Sequence, residues 1–356
     1  MGSLQLLGLN YVLEEVPISF PCDDVAFFAP FATKKLAYKH IYFFYIRMTK
    51  AFSKSTRISV VITCFREGDL LREAVSSVLP QLPSEIIIVN DASTHESTNK
   101  VCCELESFPE ITVIWRQENG GPSVSRNQGF EKASGDILVP LDADDLLPEN
   151  ALKYLKNAFD SSSDVGFVCG PYLRQDRQSQ PAKSVVPADV TLQTMLRAKR
   201  FSLSSCWQLL GTTPLRKTVW QQVGGYDPAF GACDLHDVEF WIRVIASGCS
   251  HITIDKHIYT WRKYLGKNSA QVTPLAWSQI AQKYFEIYQS LGLRYRAYEL
   301  LLMGSKWQND LDRVKFFREK LTQCVIQGHY QLSSVVILLL PTFLFRFLFQ
   351  NLRYRR

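Results

Sequence analysis

Four short apolar runs constrain the fold more than any other feature: Ile58-Ser-Val-Val-Ile62, Glu85-Ile-Ile-Ile-Val89, Ile111-Thr-Val-Ile-Trp115 and Leu138-Val-Pro-Leu141. Each is nearly continuous rather than alternating, which fits a strand buried on both faces and hence a parallel sheet covered by helices on two sides. Between the first two runs, Leu70, Leu71, Ala74, Val75, Val78 and Leu79 recur at helical spacing, and Pro80 and Pro83 stop the helix. A helix over Glu149–Phe159 and a strand over Val165–Cys169 continue the alternation. The expected fold is α/β, a doubly wound, mostly parallel sheet, and 356 residues leave room for a helical C-terminal appendage. Ligands of such sheets bind at the carboxyl ends of the strands, which here carry Thr63, Asp91 and the acids Asp142, Asp144 and Asp145.

The acids in Leu141-Asp-Ala-Asp-Asp145 are the first candidate site. Clustered carboxylates raise one another's pKa, and a hard divalent cation, Mg²⁺ or Mn²⁺, relieves the repulsion. Such an ion keeps waters and shares its shell with substrate phosphates, so two acids suffice. A solvated turn in which Asp144 or Asp145 caps the following helix accounts for the same residues.

Glu118-Asn-Gly-Gly-Pro-Ser-Val-Ser-Arg-Asn-Gln-Gly129 offers a Gly pair through which backbone can approach a ligand, followed by a helix from about Ser123 with Arg126 in its first turn. Neither Gly-x-Gly-x-x-Gly nor Gly-Lys-Ser/Thr occurs, so a dinucleotide fold or a P-loop enzyme has no support. Arg174–Ser184 is polar and reads as a mobile loop over the site. Val238, Trp241, Ile242 and Ile245 mark a buried helical face, with Asp237 in the first turn. An acid there is also a common helix cap.

The net charge of +6 lies largely at the chain ends, and no basic stripe interleaved with aromatics appears, which excludes a nucleic-acid binder. Nine cysteines without a Cys-x-x-Cys pair exclude a disulfide framework or zinc ribbon; Cys64, Cys169 and Cys206 read as buried thiols. The first ten residues lack the pattern of a secretory signal, so a cytoplasmic location is expected. Residues 1–56 are a proline-punctuated extension. After Pro274, Trp277, Ile280, Tyr284 and Ile287 form one helical stripe, with Leu300, Leu301 and Met303 in a later one. Val335–Phe349 is strongly apolar but interrupted by Pro341 and Arg346, and too short to span a bilayer. It reads as an interfacial anchor giving peripheral contact with the inner face of the membrane, or as a segment buried against the appendage.

Thr63-Cys-Phe, Asn90-Asp-Ala-Ser, Gly120-Gly-x-Ser-x-Ser-Arg-Asn127, Leu141-Asp-Ala-Asp-Asp145, Gly224-Gly-Tyr-Asp and His236-Asp-x-Glu-Phe-Trp241 stand in the order found in the family 2 inverting glycosyltransferases. The resemblance covers about residues 57–270 and divides the chain into an extension (1–56), a catalytic domain (57–270) and a helical appendage with an apolar, basic-ended tail (271–356). It implies a nucleotide-diphospho-sugar transferase fold that moves a sugar non-processively from a nucleotide-sugar donor, UDP-sugar favoured, to a hydroxyl on a glycan, a lipid-linked or another acceptor. By the same resemblance Thr63, Asp91, Arg126 and Asp142 would hold the nucleotide, Asp144 the Mn²⁺ or Mg²⁺, and Asp145 would support them. Asp237 matches the general base, and Arg262, in Tyr259-Thr-Trp-Arg262, would reach the diphosphate. His236 stands where the family has Glu, at the acceptor side. That departure leaves room for a non-catalytic nucleotide-sugar or glycan-binding protein on the same fold.

Overall fold

The computed structural model describes residues 56–176, 182–187, 189–199, 209–233, 235–263 and 273–352, so the N-terminal extension, apart from Thr56, and Cys206 lie outside the described residues. The first four apolar runs form β1 (Ile58–Cys64), β2 (Glu85–Asn90), β3 (Ile111–Trp115) and β4 (Ile137–Asp142). They are followed by β5 (Val165–Cys169), β6 (Tyr172–Asp176), β7 (Lys183–Val185), β8 (Leu215–Arg216), β9 (Ser250–Thr253) and β10 (Tyr259–Lys263). The main sheet runs β3-β2-β1-β4-β8-β5-β9. β8 pairs antiparallel with β4 and β5, and the other pairs are parallel.

Both sheet faces are buried, as the unbroken apolar runs require. Val60, Ile62, Ile86 and Ile88 pack with the helices Asp69–Val78, Glu96–Leu105 and Ala151–Asp160, while Val61, Ile87, Val89 and Leu138 point to the opposite core with Phe130, Phe240 and Trp241. Gly129 makes the second face possible. A Cβ there would lie 2.3 Å from a methyl of Val61, so only glycine lets the helix Gly121–Lys132 approach β1 this closely.

From β1 the chain winds outward through β2 and β3, then returns on the other side of β1 as β4. The crevice for ligands in such a sheet lies where that order reverses, at the carboxyl ends of β1 and β4. Thr63 and Asp142 are register partners there.

Two expectations are corrected. Arg174–Ser184 is not simply a loop: Arg174 pairs with Lys183 and Leu173 with Ser184 in a second sheet of order β10-β6-β7, and residues 177–181 lie outside the described residues. Neither Asp144 nor Asp145 caps the following helix, which begins at Ala151 behind Asn150 in a left-handed conformation.

The helices after Pro274 share a core with the body of the protein. Ile280, Tyr288, Leu300 and Leu301 pack against Leu196, Phe230, Val238 and Ile242. The helix His236–Ala246 is therefore clamped from two sides, by Val238 and Ile242 toward the appendage and by Phe240, Trp241 and Val244 toward the sheet. The apolar tail folds as two helices, Leu332–Leu339 and Thr342–Leu352, bent by 112° at the break that holds Pro341. Among the described residues no single helix is long and apolar enough to cross a membrane.

Candidate active site

A cavity of about 330 Å³ opens at the reversal of strand order, and its wall includes Arg126, Asp142, Asp145, His236, Asp237 and Tyr259. Four chain segments far apart in sequence supply these groups, each positioned by a separate local cause.

Arg126 lies in the second turn of its helix, which begins at Gly121 rather than near Ser123, and it is buried rather than exposed. Its guanidinium donates to Asp142 Oδ1 at 2.5 Å and to His236 Nε2 at 2.9 Å. Burial disfavours its charge, yet Asp142 outweighs that, so Arg126 stays cationic. Because Nε2 accepts from Arg126, a neutral His236 carries its proton on Nδ1. Burial, and then the neighbouring Arg126 charge, lower the His236 pKa to about 4, so the ring is neutral at physiological pH.

The acid loop is tied from behind. Tyr259 Oη donates to Asp145 Oδ2 at 2.6 Å, and the Arg262 backbone N–H donates to Asp145 Oδ1 at 2.7 Å. Asp145 is only 3 % exposed, so the loop is not a solvated turn. Burial raises its pKa to about 8, with the charges of Asp142 and Asp144 adding to the rise. Asp144 is raised to about 6, first by burial and then by Asp142 and Glu67. Burial and mutual repulsion thus oppose ionising the three acids together, and their protein neighbours do not fully offset that cost. Among the described residues no three His, Cys, Asp or Glu side chains converge as a metal cluster. A hard cation that keeps waters and binds phosphates needs only one or two carboxylates, so Asp142 and Asp144 fit such an ion as donors.

Asp237 sits in the first turn of its helix, and its Oδ1 accepts from the Val238 N–H at 2.8 Å. Gly211 stands against it: a Cβ there would be 2.9 Å from Asp237 Oδ2. The helix itself is fixed by Glu239, which is fully buried and accepts from Arg243 (2.9 and 2.7 Å), Lys283 (2.8 Å) and Tyr284 Oη (2.6 Å). Glu239 and Tyr259 stand in the family-like motifs without a role assigned by them, and nothing in the sequence marks Gly211, yet the structure gives each a place at the site. Of the three, Glu239 carries a legible signal, as an acid inside the apolar stretch Val238–Ile242.

The Gly224-Gly225 turn is held by Asn127, whose Oδ1 accepts from the Tyr226 N–H and from Trp220 Nε1, and whose Nδ2 donates to the Tyr226 carbonyl. Gly225 has φ 74°, and a Cβ there would lie 2.7 Å from Asn127 Oδ1. Two motifs a hundred residues apart are thus one structural unit beneath the Tyr226 ring, which stacks on Phe240.

The remaining expected residues lie outside the described cavity wall. Thr63 is at the end of β1 beside Asp142. Asp91 follows β2 and accepts from Arg116 Nε (2.8 Å) and from the N–H groups of Gly120 and Gly121 (2.9 and 2.8 Å), so it holds the Gly-Gly turn. Asp144 neighbours the cavity within the acid loop. Arg262, expected at a diphosphate, is buried beneath that loop: β10 turns its guanidinium toward the Asp144 carbonyl and Glu73.

Residues 59–214 match the family model described as glycosyl transferase family 2. An uncharacterised glycosyltransferase of Escherichia coli K12, YibD, is 36% identical over 95 residues, 26% of this chain and 27% of that protein. The poly-β-1,6-N-acetyl-D-glucosamine synthase of Staphylococcus aureus MSSA476 is 30% identical over 115 residues, 32% of this chain and 28% of that protein. The matched stretches thus span less than a third of the length of these two relatives. The crystal structure of S. aureus TarS 1–349 in complex with UDP-GlcNAc shares the fold, with a TM-score of 0.50, 18% identity, and coverage of 70% of this chain and 72% of that one.

Proposed function

We propose that the chain, whose residues 59–214 match the glycosyl transferase family 2 model, moves a sugar from a nucleoside-diphosphate donor to an acceptor hydroxyl with inversion at the anomeric carbon. The observation that carries this reading is the shared cavity: Asp237 and the acid loop face the same 330 Å³ space from opposite parts of the chain. A UDP-sugar is favoured as donor because the related fold in TarS was solved with UDP-GlcNAc.

Residues 57–270 carry the chemistry in this reading, and residues 271–356 brace them. Asp237 accepts the acceptor hydroxyl's proton as that oxygen attacks the anomeric carbon, the general-base half of a single displacement. Such a displacement needs no enzyme nucleophile. Thr63 and Asp91, at the ends of adjacent strands, border the nucleotide base, with Asp91 acting by holding the Gly-Gly turn in place. Arg126 orients Asp142 beside the ribose and diphosphate. Asp142 and Asp144 would hold Mn²⁺ or Mg²⁺, which when bound offsets the charge that develops on the departing diphosphate. Arg262 supports the acid loop from beneath rather than touching the diphosphate. Neutral His236 lies next to the base and offers polar contact to the acceptor. A glycan or lipid-linked acceptor at the inner face of the cell membrane suits the apolar C-terminal helices.

Release of UDP from UDP-sugars, followed with and without Mn²⁺, tests the reading. We expect metal-dependent turnover that Asp144→Ala and Asp237→Asn both abolish, with Asp237→Asn still binding UDP. Undiminished turnover in Asp237→Asn removes that residue from the base role. UDP-sugar binding with no turnover on any glycan acceptor favours a binding protein on the same fold.

A further inference from the structure

We propose that the bent pair of C-terminal helices and the groove beside it form a docking surface for a lipid bilayer bearing anionic headgroups. This rests on the peripheral-contact part of the reading above and not on its chemistry. The pair is anchored on one side: Ile337 and Phe345 are fully buried, and Lys306 Nζ donates to the Ile337 and Leu340 carbonyls at the bend. The other side is apolar and open. Leu339 is 76 % exposed and Phe343 74 %, with Leu332, Val336 and Phe347 also exposed. Leaving that much hydrocarbon in water is unfavourable, and a patch of this kind marks an interaction surface.

Charge points to the occupant. After Glu319 the chain has no carboxylate side chain, whereas it carries Lys320, Arg346, Arg353, Arg355 and Arg356. An adjoining groove of about 690 Å³ runs beside Thr342, with Leu311 and Ile326 as exposed apolar walls and Lys315 and Arg318 on the same helical face; Glu319 is its one acid. Hydrocarbon flanked by cations matches the boundary between acyl chains and anionic headgroups. The helices are too short to go further, at roughly 12 and 17 Å by the usual rise per residue, against a hydrocarbon core of about 30 Å. Held flat by Lys306 and Phe345, the pair can enter the interface without crossing it.

Cosedimentation of the full chain with vesicles of phosphatidylcholine alone, or with about a third phosphatidylglycerol, tests this. We expect binding to the anionic vesicles that weakens with salt. It should fall at least tenfold in Leu339→Glu/Phe343→Glu, and about fivefold per cation removed in Lys315→Gln/Arg318→Gln. The substituted side chains are exposed, so melting temperatures should hold, and turnover on a soluble acceptor should be unchanged. Equal binding to both vesicles, or no loss in the variants, overturns the proposal. So does a concentration-dependent dimer that Leu339→Glu/Phe343→Glu dissociates in a chain that ignores vesicles, since that makes the face a contact between copies. Loss of turnover in Asp237→Asn with vesicle binding intact separates this surface from the catalytic reading.

Discussion

Replacing Glu239 with Gln should loosen the helix that carries Asp237, and the size of the effect follows from its surroundings. The carboxylate is fully buried and accepts four hydrogen bonds, two from Arg243 and one each from Lys283 and Tyr284. Removing one partner of a buried ion pair costs about 3–5 kcal/mol, mostly through the charge left behind. Here the orphaned cations have relief. The Lys283 side chain is 37 % exposed and keeps Asp227, and the Arg243 side chain is 23 % exposed and keeps the Val223 and Gly225 carbonyls. The lower end, about 3 kcal/mol, is therefore expected. At about 2–4 °C per kcal/mol for a body of this size, the melting temperature should drop by roughly 6–12 °C. Urea unfolding should show a lower midpoint at an unchanged slope. The pH dependence adds a sign. Burial alone would push the Glu239 carboxyl up, but the bonds from Arg243, Lys283 and Tyr284 win and hold it below the usual value of 4.5. A carboxyl lowered in the folded state stabilises above its unfolded pKa and loses that contribution as pH falls through the folded one. The gap between wild type and variant should therefore be full at pH 6–7 and close below about pH 4.5. A loss under 1 kcal/mol at pH 7, or a gap that does not shrink on acidification, would refute the assignment of Glu239 as the tie between helix and appendage.

Gly211→Ala should cut kcat by about a hundredfold, because the new methyl would stand 2.9 Å from both Cβ and Oδ2 of Asp237 and must displace that side chain; since Cβ moves only with the helix backbone, the melting temperature should fall as well, and steady-state kinetics with a thermal melt checks both. Burial lowers the Lys306 ammonium to about 8, below its usual 10.5, so the folded state sheds that proton first and stability should rise from about pH 8 to pH 10.5. In Lys306→Met that rise should vanish from urea titrations taken across the window. If UDP is a ligand, a concentration a hundred times its dissociation constant should stabilise the protein by about 2.7 kcal/mol in a thermal shift. Mn²⁺ should enhance the shift in wild type and not in Asp144→Ala.

Much of the sheet could be read from local pattern. Val165–Cys169 begins and ends where its run of apolar residues does, and β1, β2 and β4 coincide with theirs within two residues, because a strand buried on both faces must be apolar throughout; β3, at the sheet edge, also matches its run yet leaves Thr112 and Trp115 exposed. Asp237 was placeable in a first turn for a similar reason, since helical periodicity locates the buried stripe and hence the start of the helix. The two-residue β8 is different: nothing in Leu215–Arg216 marks a strand, and it exists because β4 and β5 flank it. Likewise β6, β7 and β10 are polar and short; β7 pairs with its near neighbour β6, but β10 joins them from far along the chain.

The site divides along the same line. From the amino-acid order alone came the alternating layers, the acids at the strand ends and the candidate base, because periodicity and strand ends are properties of neighbouring residues. Only the folded chain decided that Arg126 is buried between Asp142 and His236, that Asp91 holds the Gly-Gly turn, that Arg262 turns to Glu73, and that Glu239 fastens the Asp237-bearing helix to the appendage. Those outcomes depend on which charges meet in a low-dielectric interior, and the partners of a buried charge are selected by packing across long sequence distances rather than by adjacent residues.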